Sequence, residues 1–366
     1  MADERETNRM KKILAAAAAA SLMALTATAG AFSKPVTIAS QGSFTAGGSV
    51  AQAEGTFDNA KPLDPAGQTL HGDHAYVFYQ KPVHPKKNAI VFLHGAGQSG
   101  KTWETTPDGR DGFQNIFLEK GYSTYVADQP RRGRAGQSLT GGIISNKPME
   151  QLWYDNFRIG LYPDYYPGVQ VKWDEGAREE FFRSMTPDTG AFDANVISDA
   201  MAAVLEKSGK AVLMTHSQGG GPGWLTAMKS DKVKGIVALE PGSGYVFTKE
   251  EAPAPMETSS PFGALKPAIV PKDSFEKLTK LPIVVIYGDN IPSERTEQWN
   301  LDNWRVRVDM ARIWVDTINR HGGDARLILL PERGIKGNTH FLMSDRNNGQ
   351  IADLIEDWMN EKGLAE

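Results

Sequence analysis

An α/β protein is predicted, with a mostly parallel central sheet flanked by helices. Two observations predict it. From residue 88 onward, short and wholly apolar runs alternate with helical stretches, the pattern of strands buried on both faces. Polar residues of chemical interest stand directly after the C-terminal ends of those runs, where open α/β sheets bind ligands.

The elements follow in order. Residues 33–60 are rich in Gly, Ser, Thr and Ala with alternating apolar positions, and read as one or two short edge strands. His74 to Tyr79 is a further strand, and Pro82 to Lys87 a turn. Asn88 to Leu93 opens the alternating pattern and ends at His94-Gly95. Phe113 to Lys120 is a helix closed by Gly121, and Ser123 to Ala127 a strand ending at Asp128. Asp193 to Lys207 is a helix and Lys210 to Met214 a strand, followed by a helix from Gln218 to Lys229. Val233 to Leu239 is a strand ending at Glu240, and Pro282 to Tyr287 a strand ending at Gly288-Asp289. A long helix from Glu297 to His321, a strand from Ala325 to Leu330 and a helix from Gln350 to Lys362 complete the chain. One stretch breaks the rhythm. Residues 139–195 carry Trp153, Tyr154, Phe157, Tyr162, Tyr165, Tyr166, Trp173, Phe181 and Phe182, interrupted by Pro and Gly. They read as an inserted cap, its aromatics either a small core of its own or a ligand wall.

The N-terminus reads as an address. Lys11 and Lys12 precede an apolar run from Ile13 to Leu25, and Ala29-Gly30-Ala31 is a small-x-small cleavage signal. The run is too short for a spanning helix. Cleavage after Ala31 is expected, leaving residues 32–366 as a secreted or periplasmic protein without stable membrane insertion. The ten residues before Lys11 are acidic for such a signal, which makes Met10 a second candidate start. The chain has no Cys, so neither disulfides nor a thiolate nucleophile or metal site enters the picture. A net charge of −4, from 40 basic and 44 acidic side chains, gives no footprint for nucleic acid. No repeat and no sign of oligomeric state is visible.

The strongest chemical signal is Thr215-His216-Ser217-Gln218-Gly219-Gly220-Gly221 after the strand that starts at Lys210. A nucleophilic Ser must stand on a sharp, strained strand-to-helix turn so that its Oγ projects above the sheet, and small neighbours avoid a clash there. The helix that follows aims free N–H groups at the site, and the amide of Gln218 becomes one oxyanion donor. Thr215 occupies a position where such turns usually carry Gly. It is tolerable if the neighbouring strand leaves room. His94-Gly95-Ala96-Gly97-Gln98 ends an early strand, where the second donor is expected, at Ala96; His94 itself is expected to brace its loop. The base must follow the last strand, which selects His340 in Gly337-Asn338-Thr339-His340. Of the seven His, four precede the turn, His216 adjoins Ser217 and points to the opposite face, and His321 ends a helix. Two carboxylates end strands between Ser217 and His340. Asp289 stands on the commoner strand but directly after Gly288, one turn early. Glu240 stands one strand earlier with a longer reach. No His/Asp/Glu cluster has metal-ligand spacing and no phosphate-binding glycine fingerprint follows a strand, so no metal or organic cofactor is expected.

Several segments together resemble a small group of secreted bacterial carboxylesterases, a capped and divergent branch of the α/β-hydrolases. They are His94-Gly95 with Trp103-Glu104-Thr105-Thr106-Pro107-Asp108-Gly109-Arg110; Lys120-Gly121-Tyr122-Ser123-Thr124-Tyr125-Val126; and Asp128-Gln129 with Arg132-Gly133-Arg134. His216-Ser217-Gln218, Val237-Ala238-Leu239-Glu240-Pro241-Gly242, and Gly337-Asn338-Thr339-His340 running on to Asp345-Arg346-Asn347-Asn348 complete the set. The resemblance covers most of the chain from about residue 40 and is weakest across the cap and 249–276. It implies Ser217 as nucleophile, His340 as base, Glu240 as acid from the unusual earlier strand, and the amides of Ala96 and Gln218 as the oxyanion hole. The best-known member of the group carries paired Cys where this chain has Ala96-Gly97, so the loop is expected to lack that brace. Serine-dependent hydrolysis of a small-molecule carboxylic ester is the expected activity. An amidase or other acyl hydrolase on the same residues is the alternative, and a non-catalytic binding protein of the same fold a more distant one.

Overall fold

The structure, a computed structural model, describes residues 35–142, 144, 149–171 and 173–366. The expected signal sequence, residues 1–31, lies outside the described residues. The chain forms the α/β architecture that the alternation predicts. Eight strands make one sheet: β1 (Ile38–Gln52), β2 (Thr69–Pro82), β3 (Ala89–Leu93), β4 (Thr124–Asp128), β5 (Ala211–His216), β6 (Val233–Leu239), β7 (Pro282–Tyr287) and β8 (Asp324–Leu329). Their spatial order is β1-β2-β4-β3-β5-β6-β7-β8. The β1/β2 and β2/β4 pairs are antiparallel, and every later pair is parallel. Strands β3, β4 and β5 are buried along their whole length, because helices cover both faces.

Six helices pack around this sheet: α1 (Phe113–Glu119), α2 (Glu150–Asn156), α3 (Glu175–Arg183), α4 (Ala194–Ser208), α5 (Gly220–Lys229) and α6 (Lys272–Leu278). Two more, α7 (Trp299–Arg320) and α8 (Asn348–Glu361), follow. Asp193 caps α4 through bonds from the Asn195 and Val196 amides. The core runs on through aromatic contacts such as Phe92 on Trp103, 4.9 Å between centroids, and Trp224 on Trp314, 4.5 Å.

Two element expectations change. Residues 33–60 hold one long strand rather than one or two short ones, since β1 pairs with β2 from Ile38 to Gln52. The expected Gln218–Lys229 helix starts as a 3-10 turn over Ser217–Gly219 and becomes α-helical only at Gly220. Between β4 and α4, the described part of 139–195 comprises α2, α3 and a two-residue hairpin of Gly160–Leu161 with Asp164–Tyr165. Its Tyr154, Phe157, Trp173 and Phe181 are buried in the main core, while Trp153 and Phe182 stay partly exposed. The aromatics thus divide between the two expected roles rather than following one.

Candidate active site

Ser217 sits at φ +53°, between the buried strand β5 and the helical turn. A β-carbon residue in that region is strained, and strain of this kind collects at functional sites. It is 8% exposed. The turn is crowded. A Cβ on Gly219 would lie 2.6 Å from the His94 carbonyl oxygen. Thr215 is accommodated, but not by a neighbouring strand: a Cβ on Gly223 of α5 would lie 2.6 Å from Thr215 Cγ2. The helix gives up a side chain so that the strand can keep one.

The loop after β3 comes up against the same turn. A Cβ on Gly95 would stand 2.7 Å from Ser217 Cβ and 3.1 Å from His216 Nδ1. The Gly95 amide is occupied, donating to Gln98 Oε1 at 3.0 Å. No acceptor for the Ala96 amide is found among the described residues. Gln218 is the second residue of its helical turn, so its N–H has no intrahelical acceptor. His94 is structural, as expected: its Nε2 accepts from the Gln129 amide at 3.2 Å. The loop is held by hydrogen bonds. Arg132, buried, donates to the Gly95 carbonyl at 3.2 Å and pairs with Asp188. The Thr186 amide donates to the Gly97 carbonyl at 2.9 Å, and its hydroxyl to the Gln98 carbonyl at 3.0 Å.

His340 and Glu240 come together. His340 Nδ1 lies 3.1 Å from Glu240 Oε2, and both side chains are buried. His340 Nε2 has no partner among the described residues. Asp289 does not reach His340; its carboxylate accepts from the amides of Gly337 at 2.7 Å and Asn290 at 2.7 Å. It ties down the loop that carries His340. Glu240, at φ +51°, also accepts from the Gly288 amide at 2.5 Å and from Arg158 Nη2 at 2.6 Å. The elbow and this pair are joined, since the Gly242 amide donates to the Ser217 carbonyl at 3.0 Å. His216, set aside as pointing away, in fact lies against the pair. Its ring centroid is 4.5 Å from that of His340, its Nε2 is 2.8 Å from the His340 carbonyl oxygen, and its Nδ1 is 2.8 Å from Gln98 Oε1. One ring thus links the loops after β3 and β8.

Residues 90–358 match the model of the α/β hydrolase family. The chain belongs to this family. It is 31% identical to a novel bacterial esterase of known structure, covering 90% of this chain and 98% of that one, with a TM-score of 0.72. It is also 27% identical to a probable secreted lipase of a fungal species, across 77% of this chain and 84% of the relative.

In this hydrolase the imidazoles are held neutral. Burial is the main cause of His340's pKa lying well below the usual value, with the charges of Arg158 and Arg307 adding to it. His216 is lowered likewise, by burial and by His340, so it carries one N–H and donates to one of its two neighbouring acceptors at a time. Burial pulls His94 down to about 4. Asp345, buried under the His340 loop, is pushed up to about 7 by burial, despite accepting from Thr339 Oγ1 at 2.8 Å and Asn338 Nδ2 at 2.8 Å. Arg110 joins the 103–110 and 345–348 segments. Its guanidinium donates to the carbonyls of Ser344 at 3.0 Å and Asp345 at 3.2 Å and to Asn348 Oδ1 at 2.9 Å. Asp128, which ends β4, accepts from the Gly100 amide at 2.6 Å and from Arg134 Nε at 2.8 Å. Sequence reasoning missed Arg158, Arg110 and Arg132 as site residues. Arg110 and Arg132 both lie in segments that carry the resemblance, while Arg158 lies in the stretch where it is weakest.

A cavity of about 350 Å³ opens beside the loop, lined by Gly97, Met149, Trp153, Phe182, Met185 and Pro187 among others. Trp153, one of its walls, packs edge-on against Phe157 at 4.8 Å. Among the described residues no group of three His, Cys, Asp or Glu could hold a metal ion. No helix of these residues is long and apolar enough to cross a membrane.

Proposed function

We propose that this α/β hydrolase is a secreted serine carboxylesterase, working through an acyl-enzyme on Ser217 with His340 as base and Glu240 as acid. The observation that carries the reading is the His340 ring, which meets Glu240 at Nδ1 and keeps Nε2 unpaired, while His216, the neighbour of the strained Ser217, reaches the His340 carbonyl oxygen. Ser217 Oγ attacks the ester carbonyl carbon while its proton passes to His340 Nε2. Glu240 holds the ring and stabilises the imidazolium. The new oxyanion rests on the amides of Ala96 and Gln218. The carbon–oxygen bond to the alcohol then breaks, and the alcohol takes the proton from His340. Water repeats both steps on the acyl-enzyme, which releases the acid and restores Ser217.

Residues 139–195 act in this reading as a cap over the site, and the cavity beside Gly97 takes an apolar arm of the substrate. The names of the two relatives, an esterase and a lipase, favour an ester over an amide. Export with cleavage after Ala31 is supported by the pattern of residues 1–31 and by the relative named as secreted.

The test is direct. A fluorophosphonate should add its mass to the peptide bearing Ser217, and Ser217→Ala should abolish both labelling and turnover. A panel of p-nitrophenyl esters against matched anilides should show turnover of the esters alone. Labelling at another residue, or faster turnover of anilides, would overturn the reading.

A further inference from the structure

The insertion between β4 and α4 does more than cover the site. Two adjacent residues of it touch both the acid and the base of the proposed triad. The Phe157 carbonyl accepts from the His340 amide at 3.1 Å, and the Phe157 ring stacks on the His340 imidazole at 4.5 Å with 11° between planes. The next residue, Arg158, holds a left-handed φ of +60° with its side chain fully buried. Its Nη2 donates to Glu240 Oε1 at 2.6 Å and its Nε to the Asp289 carbonyl at 2.8 Å. Its guanidinium also lies over Trp304, 4.7 Å from the centroid, and Trp304 packs on the other side of the same chemistry, 4.3 Å from the His340 ring. A fully buried guanidinium is costly unless its charge is met, and Glu240 is the carboxylate that meets it.

We infer that Arg158 is a positioning residue for the reaction: it fixes the rotamer of Glu240, so that His340 is oriented by a carboxylate shared between an imidazole and a guanidinium. The consequence is that the insertion cannot leave the site as a free lid without releasing the acid. This inference rests on the proposed triad. The carboxylate's three donors divide cleanly, with Arg158 and the Gly288 amide on Oε1 and His340 on Oε2. The charged and titratable groups around His340 are Arg158 from the insertion, Arg307 from α7, His216 from β5 and Glu240 after β6, with Asp345 on its own loop. Neutralising Arg158 removes one of the two cations that disfavour the imidazolium. The pKa of His340 then rises, and the acid limb of the rate moves to higher pH.

The experiment compares Arg158→Gln and Arg158→Lys with the wild type on a p-nitrophenyl ester from pH 5 to 9. For Arg158→Gln, kcat should fall about 10- to 100-fold with KM within about twofold, and the acid limb of kcat/KM should move up by about one pH unit. Arg158→Lys should recover part of kcat and keep the limb near its wild-type position. In a double-mutant cycle, adding Arg158→Gln to Glu240→Gln should cost less than threefold further, because the arginine acts through the carboxylate (roughly the non-additivity of residues that work as a unit). An unmoved acid limb, or additive losses in the cycle, would overturn the inference and leave Arg158 as a tie that only holds the insertion down. If Arg158→Gln does not fold, the double-mutant cycle measured with Arg158→Lys decides, since a lysine cannot reproduce both bonds. Fluorophosphonate labelling of the wild type at Ser217 is the control: its failure would sink the triad itself, not this inference alone.

Discussion

At the residue scale, one side chain at the elbow is explained by the absence of another. Thr215 Cγ2 fills the space that a Cβ on Gly223 would need. Gly223→Ala should destabilise the protein by about 1–3 kcal/mol through overpacking. Adding Thr215→Ser, which removes Cγ2, should restore most of that loss, as read from urea midpoints. The acid is tested in the same way. Glu240→Gln should lower kcat about 1,000-fold or more, by analogy with loss of the orienting carboxylate in other triads. Asp289→Asn should cost less than about tenfold, because its carboxylate meets the Gly337 amide of the His340 loop and the adjacent Asn290 amide, and not the ring. If the ranking reverses, Asp289 is the acid. Strand ends and chain order pointed to Ser217 and His340, while Glu240 and Asp289 both end strands in that interval and the resemblance tipped the choice to Glu240. The place of His216 was not legible. Alternation along β5 separates its side chain from that of Ser217, but alternation says nothing of a loop that arrives from 124 residues away to receive its Nε2.

At the scale of elements, the parallel core was legible because burial on both faces writes continuous apolar runs. The long β1 was not, because an exposed edge strand needs few apolar residues, and most of its positions are exposed. The inserted segment was visible as an interruption, yet its contribution to the site was hidden. Arg158 follows α2 in a stretch without periodicity, and a single arginine leaves no pattern. The 103–110 and 345–348 segments, part of the resemblance, show the opposite case: a signal without a stated role until Arg110 is seen gripping the chain after His340. That grip supports the loop of the base from outside. Arg110→Ala should therefore lower the thermal midpoint, at a cost of about 1–3 kcal/mol, because the Ser344 carbonyl loses its donor while that of Asp345 keeps the Asn348 amide. It should also lower kcat more than it raises KM, since the loop it frees carries His340 and not the substrate pocket. A variant with unchanged kcat would show that Asp289 and Asp345 hold the loop without it.

At the scale of the whole molecule, the site imposes a pH dependence on folding. His94, His216 and His340 are buried and lie below the ordinary imidazole range, His94 at about 4. In the unfolded chain they titrate near 6.5. Each folded-state pKa is depressed, so below about pH 6.5 the unfolded chain binds protons that the folded one refuses, and stability falls as pH falls. Asp345 acts in the other direction. Its folded pKa is about 7 against roughly 3.9 unfolded, so between those values the folded state holds a proton that the unfolded chain has lost. Three imidazoles against one carboxyl leave a net uptake of about two protons on unfolding near pH 5–6, a slope of roughly 2–3 kcal/mol per pH unit. Urea midpoints should therefore drop steeply from pH 7 to 5. His94→Gln should flatten the slope by about one proton, and Asp345→Asn should steepen it by a similar amount. A stability curve that stays level from pH 7 to 5 would mean that the imidazoles are not neutral in the folded protein. A base already protonated at neutral pH could not take the proton of Ser217, so the same measurement tests the chemistry through the fold.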